Sequence, residues 1–298
     1  MTIAVLLSTY NGKNYLDAQL ESLAQQTVAK DMTVYIRDDG SKDNTFQIIE
    51  KWKAQLSIQV MDGPNLGPAK SFWALLCNDQ IQADYYAFCD QDDVWDPDKL
   101  ETGIAALNAD THLYYCNCRL IDGDGRCVLE MNQTKPPVTT LPRLFVSGVV
   151  QGCAMVFTDA LRRHIASLPL QSIPMHDLIF MLYALDFGGT VWDGTPRFSY
   201  RIHGNNVVAK NNKSLLQKLR TTWWNWKNSS KNSMSTVAEE MLKNASNLTE
   251  EDTTYLNWLR TYRKSPVSKF KLLFYRGTRC AYPAEKRSYI IRMLLNLL

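Results

Sequence analysis

Over its first ninety residues the chain alternates short apolar runs with amphipathic stretches, and this alternation constrains the fold more than any other feature. The runs of strand length cover residues 3–8, 34–37, 58–61 and 85–89, and the stretches with one apolar helical face cover residues 15–25, 45–56 and 68–78. Strands that alternate with helices in this way favour a mostly parallel sheet with helices on both faces. The sequence therefore predicts a Rossmann-like α/β fold.

Two acidic clusters follow predicted strands at the point where each strand ends. Asp38 and Asp39 come directly after the second strand, and Asp90, Asp92 and Asp93 come after the fourth. The carboxyl ends of parallel strands meet at one edge of a sheet, and ligands bind in the crevice beside that edge. We therefore expect both clusters to face a common crevice.

The cluster after the fourth strand is dense enough to raise the question of a metal. Three carboxylates within four positions repel one another in a partly dry site unless a cation neutralises them. Oxygen ligands of this kind suit Mg²⁺ or Mn²⁺. The alternative is a solvated turn, because carboxylates also gather at plain helix starts, as Asp96 and Asp98 are expected to do. The residues alone leave both interpretations of Asp90 to Asp93 open.

Beyond residue 120 the alternation gives way to shorter, mixed elements. Asp-Gly-Asp-Gly at residues 122–125 predicts a turn that closes a hairpin begun by a strand over residues 113–120. Further along we expect a strand over residues 153–157, a buried helix over 177–187, strands over 191–193 and 197–202, and helices from residue 210 onward.

Seven cysteines without regular spacing indicate free thiols in a reducing compartment. Cys116 and Cys118 lack a second Cys or His pair that could complete a zinc site, so we expect core thiols. The N-terminus has neither the charged start nor the cleavage site of a signal peptide. No apolar run reaches the roughly 18 to 20 residues of a membrane span. A cytoplasmic protein is the expectation.

Charge divides the chain into two parts. Residues 1–209 contain 16 Lys and Arg against 24 Asp and Glu, whereas residues 210–298 contain 17 against 6, which gives net charges of −8 and +11. Aromatic residues are interleaved with the basic ones at Trp223, Trp224, Trp226, Trp258, Tyr262, Phe270, Phe274 and Tyr275. An anionic membrane surface is the favoured partner. A second subunit and a helical subdomain with solvated charges are the alternatives, and no nucleic-acid-binding motif accompanies the charge.

Seven motifs in order along the chain resemble those of family-two glycosyltransferases, which have the GT-A fold. They are Ser8-Thr9-Tyr10-Asn11-Gly12, Asp38-Asp39-Gly40-Ser41, Asn65-Leu66-Gly67 with Lys70-Ser71, Phe88-Cys89-Asp90-Gln91-Asp92-Asp93-Val94-Trp95, Gln151-Gly152-Cys153-Ala154-Met155-Val156-Phe157, Met175-His176-Asp177 and Tyr200-Arg201-Ile202-His203-Gly204-Asn205-Asn206. The resemblance implies a catalytic domain over residues 1–208 and a separate basic, helical region over residues 209–298.

The resemblance also implies roles for individual residues. Asp90 and Asp92 form the DxD pair, with Asp92 as the direct ligand of Mg²⁺ or Mn²⁺ and His203 as a further metal or diphosphate contact. Asp177 corresponds to the catalytic base of inverting members, the alternative being a simple helix cap. The donor contacts implied are Thr9, Tyr10, Asn11, Asp39, Lys70, Asp90, Gln91, Asp93 and Gly152, and the acceptor contacts are Trp95 and His176. The alternative for Asp93 is a supporting role behind the metal, and the alternative for His176 is a packed histidine whose hydrogen bonds are satisfied.

Together these features predict a metal-dependent, inverting glycosyltransferase. The motif form most resembles bacterial members that transfer L-rhamnose from dTDP-rhamnose to a cell-wall or capsular polysaccharide, whose acceptor is often lipid-linked at the inner face of the membrane. UDP-galactose, UDP-glucose and UDP-N-acetylhexosamine donors stay open, as does a homo-oligomer. A sugar nucleotidyltransferase would need a glycine-rich phosphate loop after the first strand, which is absent, and intact Asp90, Asp92 and Asp177 argue against a non-catalytic scaffold subunit.

Overall fold

The computed structural model describes residues 1–148, 150–203, 233–279 and 283–296. The chain forms two compact units. The first unit comprises residues 1–137, 150–169 and 175–202, and the second comprises residues 138–149, 170–174 and 203–298. The boundary predicted at residue 208 and the tryptophans at 223, 224 and 226 lie outside the described residues.

One nine-stranded sheet organises the first unit. Its strands are β1 (Ile3–Thr9), β2 (Met32–Asp38), β3 (Ile58–Asp62), β4 (Tyr85–Asp90), β5 (Val94–Trp95), β6 (Thr111–Ile121), β7 (Cys127–Leu129), β8 (Met155–Thr158) and β9 (Gly189–Arg201). The spatial order is β3-β2-β1-β4-β8-β6-β9-β5, and β7 pairs with β6. Strands β1 to β4 are mutually parallel, whereas β8 is antiparallel to both of its neighbours. The predicted α/β fold class is confirmed.

The helices of the first unit follow the strands as the periodicity predicts. They are α1 (Leu16–Ala24), α2 (Thr45–Trp52), α3 (Pro68–Leu76), α4 (Lys99–Ala105), α6 (Asp159–Ser167) and α7 (His176–Phe187), while α5 (Leu141–Val146) belongs to the second unit. The core forms where their apolar faces meet the sheet, since Leu16, Leu20 and Leu23 of α1 are fully buried. Helix α7 is apolar on every side, which matches burial of nearly all its residues.

The second half of the first unit differs from the sequence prediction at one strand. Two strands were expected over residues 191–193 and 197–202, but β9 is continuous from Gly189 to Arg201. Gly194, Thr195 and Pro196 look like a break in sequence, yet β9 keeps its pairing with β6 through shifts in register. The predicted hairpin is confirmed, because β6 and β7 pair across the turn at residues 122–125.

Helices make up the second unit in the described part of the chain. Besides α5 they are α8 (Ser233–Asn244), α9 (Glu250–Thr261), α10 (Pro266–Phe274) and α11 (Pro283–Leu294). Helix α9 begins with a capping box, in which Thr249 and Asp252 exchange side-chain and backbone hydrogen bonds. Within the described residues, no helix has both the length and the apolar character that crossing a membrane requires.

The described cysteines are free thiols, as predicted. Cys116 and Cys118 are only 3% and 1% exposed, which confirms that they are core residues. Both lie on β6, and burial raises the pKa of each thiol.

Adjacent arginines on α6 give a matched test of the packing. Arg162 is buried and its guanidinium donates to the carbonyl oxygens of Leu76 (2.9 Å) and Asn78 (2.7 Å), whereas the Arg163 side chain is 70% exposed in an ion pair with Asp159. Arg162→Ala should lower the free energy of unfolding by about 2 to 4 kcal/mol, because the carbonyl groups of Leu76 and Asn78 lose the buried guanidinium that donates to them. Arg163→Ala should change it by less than about 0.5 kcal/mol. Urea denaturation measures both, and equal losses would contradict the packing described.

Candidate active site

Three polar turns meet where the strand order reverses. The chain runs outward from β1 through β2 to β3 and then returns to place β4 on the other side of β1. In register, Thr9 at the end of β1 lies beside Asp38 of β2, and Ser8 lies beside Asp90 of β4. The structure thus brings the two acidic clusters to one edge of the sheet, at a topological switch point.

Gln91 fixes the loop that follows β1. Its Oε1 accepts hydrogen bonds from Thr9 Oγ1 (2.7 Å) and the Tyr10 backbone N–H (2.9 Å), and its Nε2 donates to the Tyr10 carbonyl (3.1 Å). A side chain at Gly12 would collide with Gln91 Oε1. The predicted donor contacts Tyr10 and Asn11 stay exposed at the loop, whereas Gln91 holds that loop in place.

Asn11 has a left-handed backbone conformation that the neighbouring turn stabilises. Its φ angle is 49°, which Asn tolerates better than most residues. The Asn11 N–H donates to Ser41 Oγ (2.8 Å), and its side-chain oxygen accepts from the Lys42 N–H (2.9 Å). The turns after β1 and β2 are therefore joined directly.

Asp39, in the turn after β2, is buried and anchors the loop that follows β3. Its carboxylate accepts hydrogen bonds from the backbone N–H groups of Leu66 and Gly67, both at 2.8 Å, and from the Arg37 guanidinium. Gly67 adopts a φ angle of 79°, which favours glycine. Asp39 is only 3% exposed, and these hydrogen bonds give it a role in positioning the loop that is independent of any ligand. Lys70 lies exposed on the first turn of α3, directly after the loop.

Arg201, at the end of β9, holds the acidic turn after β4. Its backbone N–H donates to Asp93 Oδ1 (3.2 Å), and its Nε donates to the Asp92 carbonyl (2.9 Å). Asp93 is completely buried, and within the described residues its Oδ2 has no partner at hydrogen-bond distance. A direct sugar contact by Asp93 would need this turn to open, so its position fits a supporting role better.

The turn concentrates negative charge in a largely dry volume. Burial, and then the charges of Asp92 and Asp177, raise the pKa of Asp90 to about 7. Burial, followed by Asp90 and Asp92, raises the pKa of Asp93 well above its usual range. Burial and the same carboxylates also raise the pKa of the Tyr200 hydroxyl. Carboxyl groups that resist ionisation in this way form a site that a cation would stabilise.

The residues present fit a divalent cation. Ligand atoms of Asp90, Asp93 and Cys153 all lie within 4.8 Å of one another. The carboxylate oxygens suit Mg²⁺ or Mn²⁺, and the unpartnered Asp93 oxygen is a further acceptor inside the cluster. Asp92 is half-buried beside this group rather than within it, and His203 belongs to the second unit. Direct ligation by Asp92 and by His203 stays a prediction.

A buried lysine lies close to the acidic turn. Lys99 is 0% exposed, and its Nζ lies 3.5 Å from the centroid of the Trp95 ring. Burial lowers its pKa, an effect that neighbouring thiols and Asp93 oppose. Trp95 itself is 2% exposed, so a direct acceptor contact, as the sequence had suggested, would require the ring to leave its packed position.

Helix α7 presents Asp177 to the same cluster. Asp177 lies in the first turn, half-buried, and its Oδ1 accepts from the Leu178 N–H (2.7 Å). The N-cap of α7 is Met175, so Asp177 is not the capping residue. The charge of Asp177 contributes to the raised pKa of Asp90, so the two carboxyl groups lie within electrostatic range of each other.

His176 is packed inside the protein instead of lining an open acceptor site. Its ring stacks on Phe72 with centroids 4.1 Å apart and meets the edge of Phe88 at 5.0 Å. It is 6% exposed, and burial lowers its pKa, which favours a neutral ring. A Cβ at Gly152 would lie 2.5 Å from His176 Nε2, so Gly152 is explained by close packing on this ring. The acceptor contact predicted for His176 fits this burial poorly.

Sequence reasoning missed four residues that surround the acidic turn. Cys153, Tyr200 and Arg201 entered the sequence prediction only as members of motifs, and Lys99 was not singled out. Their positions depend on β8, β9 and α4 reaching one place in three dimensions, which no local pattern encodes. Three carboxylates in four positions were the one signal available, since buried charges need nearby compensation.

Comparison with known proteins agrees with this architecture. The family model described as Glycosyl transferase family 2 matches residues 4–164. The dTDP-rhamnosyl transferase RfbG of Shigella flexneri is 29% identical over 220 residues, 69% of this chain and 74% of that protein. TarS of Staphylococcus aureus, a poly(ribitol-phosphate) β-N-acetylglucosaminyltransferase, is 29% identical over 145 residues, 47% of this chain and 25% of that protein.

Solved structures show the same fold. The structure of TarS residues 1–349 with UDP-GlcNAc has a TM-score of 0.65 at 19% identity, covering 100% of this chain and 82% of that one. The mannosyltransferase PcManGT of Pyrobaculum calidifontis, in complex with GDP-Man and Mn²⁺, has a TM-score of 0.59 at 13% identity, covering 99% and 86%.

The resemblance drawn from seven sequence motifs, and the glycosyltransferase activity it implied, are thereby confirmed. The family match runs from the first strand to the helix after β8 and includes the acidic turn. This chain belongs to glycosyl transferase family 2.

Proposed function

We propose that the protein is a metal-dependent, inverting glycosyltransferase that takes a sugar from a nucleotide-sugar donor bound over the ends of β1, β2 and β4. One observation carries the proposal: ligand atoms of Asp90, Asp93 and Cys153 lie within 4.8 Å of one another at the carboxyl ends of the parallel strands, and the charge of Asp177 helps to raise the pKa of Asp90. A base on one side and a buried acidic turn on the other are what a single displacement at a sugar carbon requires.

Each group then has a chemical task. A bound Mg²⁺ or Mn²⁺ would stabilise the negative charge that grows on the leaving diphosphate. Asp90 and Asp92 are the proposed metal ligands, and His203 a further contact. The half-buried Asp177 accepts the proton of the attacking acceptor hydroxyl, and attack from the side opposite the diphosphate inverts the anomeric centre.

The nucleotide is held by the loop after β1. Tyr10 and Asn11, exposed on the loop that Gln91 fixes, contact the nucleotide together with Thr9 and Asp39.

L-Rhamnose from dTDP-rhamnose is the proposed donor. Support comes from the likeness to a dTDP-rhamnosyl transferase that extends over 69% of the chain. The alternative is a UDP-hexose or UDP-N-acetylhexosamine, which the likeness to an N-acetylglucosaminyltransferase supports over a shorter stretch.

The proposed acceptor is a growing cell-wall or capsular polysaccharide on a lipid carrier. The proposed location is peripheral, at the inner face of the bacterial plasma membrane. Support comes from the net charge of +11 over residues 210–298, because basic segments are attracted to anionic lipid.

Donor turnover tests the assignment of the sugar. Purified enzyme with Mn²⁺ or Mg²⁺ should release nucleoside diphosphate from dTDP-rhamnose faster than from UDP-galactose, UDP-glucose or UDP-N-acetylglucosamine, and chelation of the metal should stop the release. A coupled assay for dTDP and UDP measures both. Faster turnover of a UDP-sugar would replace the rhamnosyl assignment by the alternative donor class.

Asp177→Asn tests the proposed base. The variant should bind donor as the wild type does, but its kcat for transfer should fall by about 10² to 10⁴, the usual contribution of a general base. Asn keeps the shape of the side chain and an oxygen that can accept from the Leu178 N–H, so the helix start should survive. Asp159→Asn, a first-turn carboxylate on α6, is the matched control and should keep normal transfer.

Transfer at nearly the wild-type rate by folded Asp177→Asn enzyme would contradict the assignment. Circular dichroism and the donor affinity of each variant separate lost chemistry from lost structure.

A further inference from the structure

Two neighbouring helices of the second unit leave an unusual amount of apolar surface uncovered. On α10, Val267, Phe270 and Phe274 are 64%, 63% and 69% exposed. Their spacing of three and four residues places them along one helical face. The rings of Phe270 and Phe274 contact each other, with centroids 4.7 Å apart. This row is a continuous apolar strip.

Helix α11 carries a second group of exposed apolar residues. Ile291, Leu294 and the following Leu295 are 55%, 52% and 57% exposed. The two helices are in contact, and Lys269 Nζ on α10 donates to Asn296 Oδ1 (2.9 Å) just beyond α11. We call these six exposed apolar residues, five on α10 and α11 and Leu295 directly after α11, the two-helix face.

The two-helix face is distinct from the packed side of the same helices. Leu272 of α10 and Met293 of α11 are both 0% exposed, and Tyr289 is 1% exposed. The Tyr289 hydroxyl shares a hydrogen bond with that of Tyr255 on α9 (3.1 Å), which fixes α11 on the rest of the unit. Each helix is therefore anchored to the second unit by one apolar side and exposes the residues of the two-helix face on another.

Positive charge predominates around this face, where α9 contributes an acidic group, Glu251, which accepts a hydrogen bond from the Tyr275 hydroxyl. Residues 260–298 contain ten Lys and Arg and a single acidic residue, Glu285. Glu285 is already paired with the buried Arg143 of α5 at 2.9 Å. Lys264, Lys271, Arg276 and Arg287 are all exposed. A partner must therefore offer an apolar phase and negative charge together.

We infer that the two-helix face docks on an anionic lipid bilayer, with Phe270, Phe274 and the aliphatic side chains of α11 in the interface and the surrounding basic residues at the headgroups. Bilayers supply both requirements, because helices of this kind bind by apolar burial together with attraction to anionic lipid. An acidic protein surface would satisfy the charges but leave the apolar side chains in water, and nucleic acid has no apolar phase to receive them. Docking here rests on the peripheral location proposed above and identifies the residues responsible.

Vesicle co-sedimentation of the full chain tests this, and it needs neither donor nor acceptor. Wild-type protein should sediment with phosphatidylcholine vesicles that contain phosphatidylglycerol, and much less with phosphatidylcholine alone or at high salt. The double variant Phe270→Gln with Phe274→Gln should bind these vesicles at least about tenfold more weakly than the wild type. Phe46→Gln is the matched control, because Phe46 is 49% exposed on α2, and it should bind as the wild type does.

A second double variant, Lys264→Gln with Arg287→Gln, tests the charges separately and changes two exposed side chains only. It should bind anionic vesicles more weakly and lose part of the salt dependence. Equal vesicle binding by all variants, or none by the wild type, would overturn the inference. So would a vesicle-free dimer in light scattering that the Phe270→Gln and Phe274→Gln changes dissociate, since the occupant would then be a second copy. Donor turnover is measured apart, so neither result bears on glycosyl transfer.

Discussion

The cost of holding three carboxylates in a small, poorly solvated turn is the constraint around which the first unit is built. Asp93 is completely buried with one oxygen unpartnered among the described residues, and burial raises the pKa of the neighbouring Asp90 to about 7. Isolated buried charges are expensive, so a fold that keeps such a turn must compensate for it nearby. Arg201 supplies fixed hydrogen-bond donors to the turn, and the buried Lys99 brings a positive group towards it. The negative charge that these two groups leave uncompensated is what a divalent cation, and through it a diphosphate, would bind.

Topology explains how so few elements can hold this turn. Strand β4 returns to the far side of β1, which brings Asp90 level with Ser8 and leaves Thr9 level with Asp38. Strand β9 then crosses the neighbouring part of the sheet and ends at Arg201, 108 residues after Asp93 in the chain. Gln91 couples the acidic turn to the loop after β1, so the parts of the site proposed to bind the metal and the nucleotide are one hydrogen-bonded unit. A change in either part should therefore be felt in the other.

Local periodicity was enough to predict the first seven elements and the placement of the acidic clusters, because all of these elements except the edge strand β3 bury a continuous apolar run or face. Long-range packing decided the rest. Pro196 looks like the end of a strand, but pairing with β6 carries β9 through it. Gln91 and Trp95 looked like ligand contacts from their motif, yet Gln91 closes a loop and Trp95 is covered by Lys99. Which polar side chain faces a ligand and which supports a neighbour depends on partners that are distant in sequence.

The central claim is that the turn after β4 holds the cation that binds the donor diphosphate, and calorimetry with dTDP and UDP tests it most directly. Wild-type protein should bind one of these nucleotides more tightly when Mn²⁺ is present. Asp92→Asn should lose that metal-dependent gain, by about tenfold or more, with its fold intact. Asp79→Asn, which changes an exposed carboxylate elsewhere, should keep it. An undiminished metal-dependent affinity in folded Asp92→Asn protein would contradict the account.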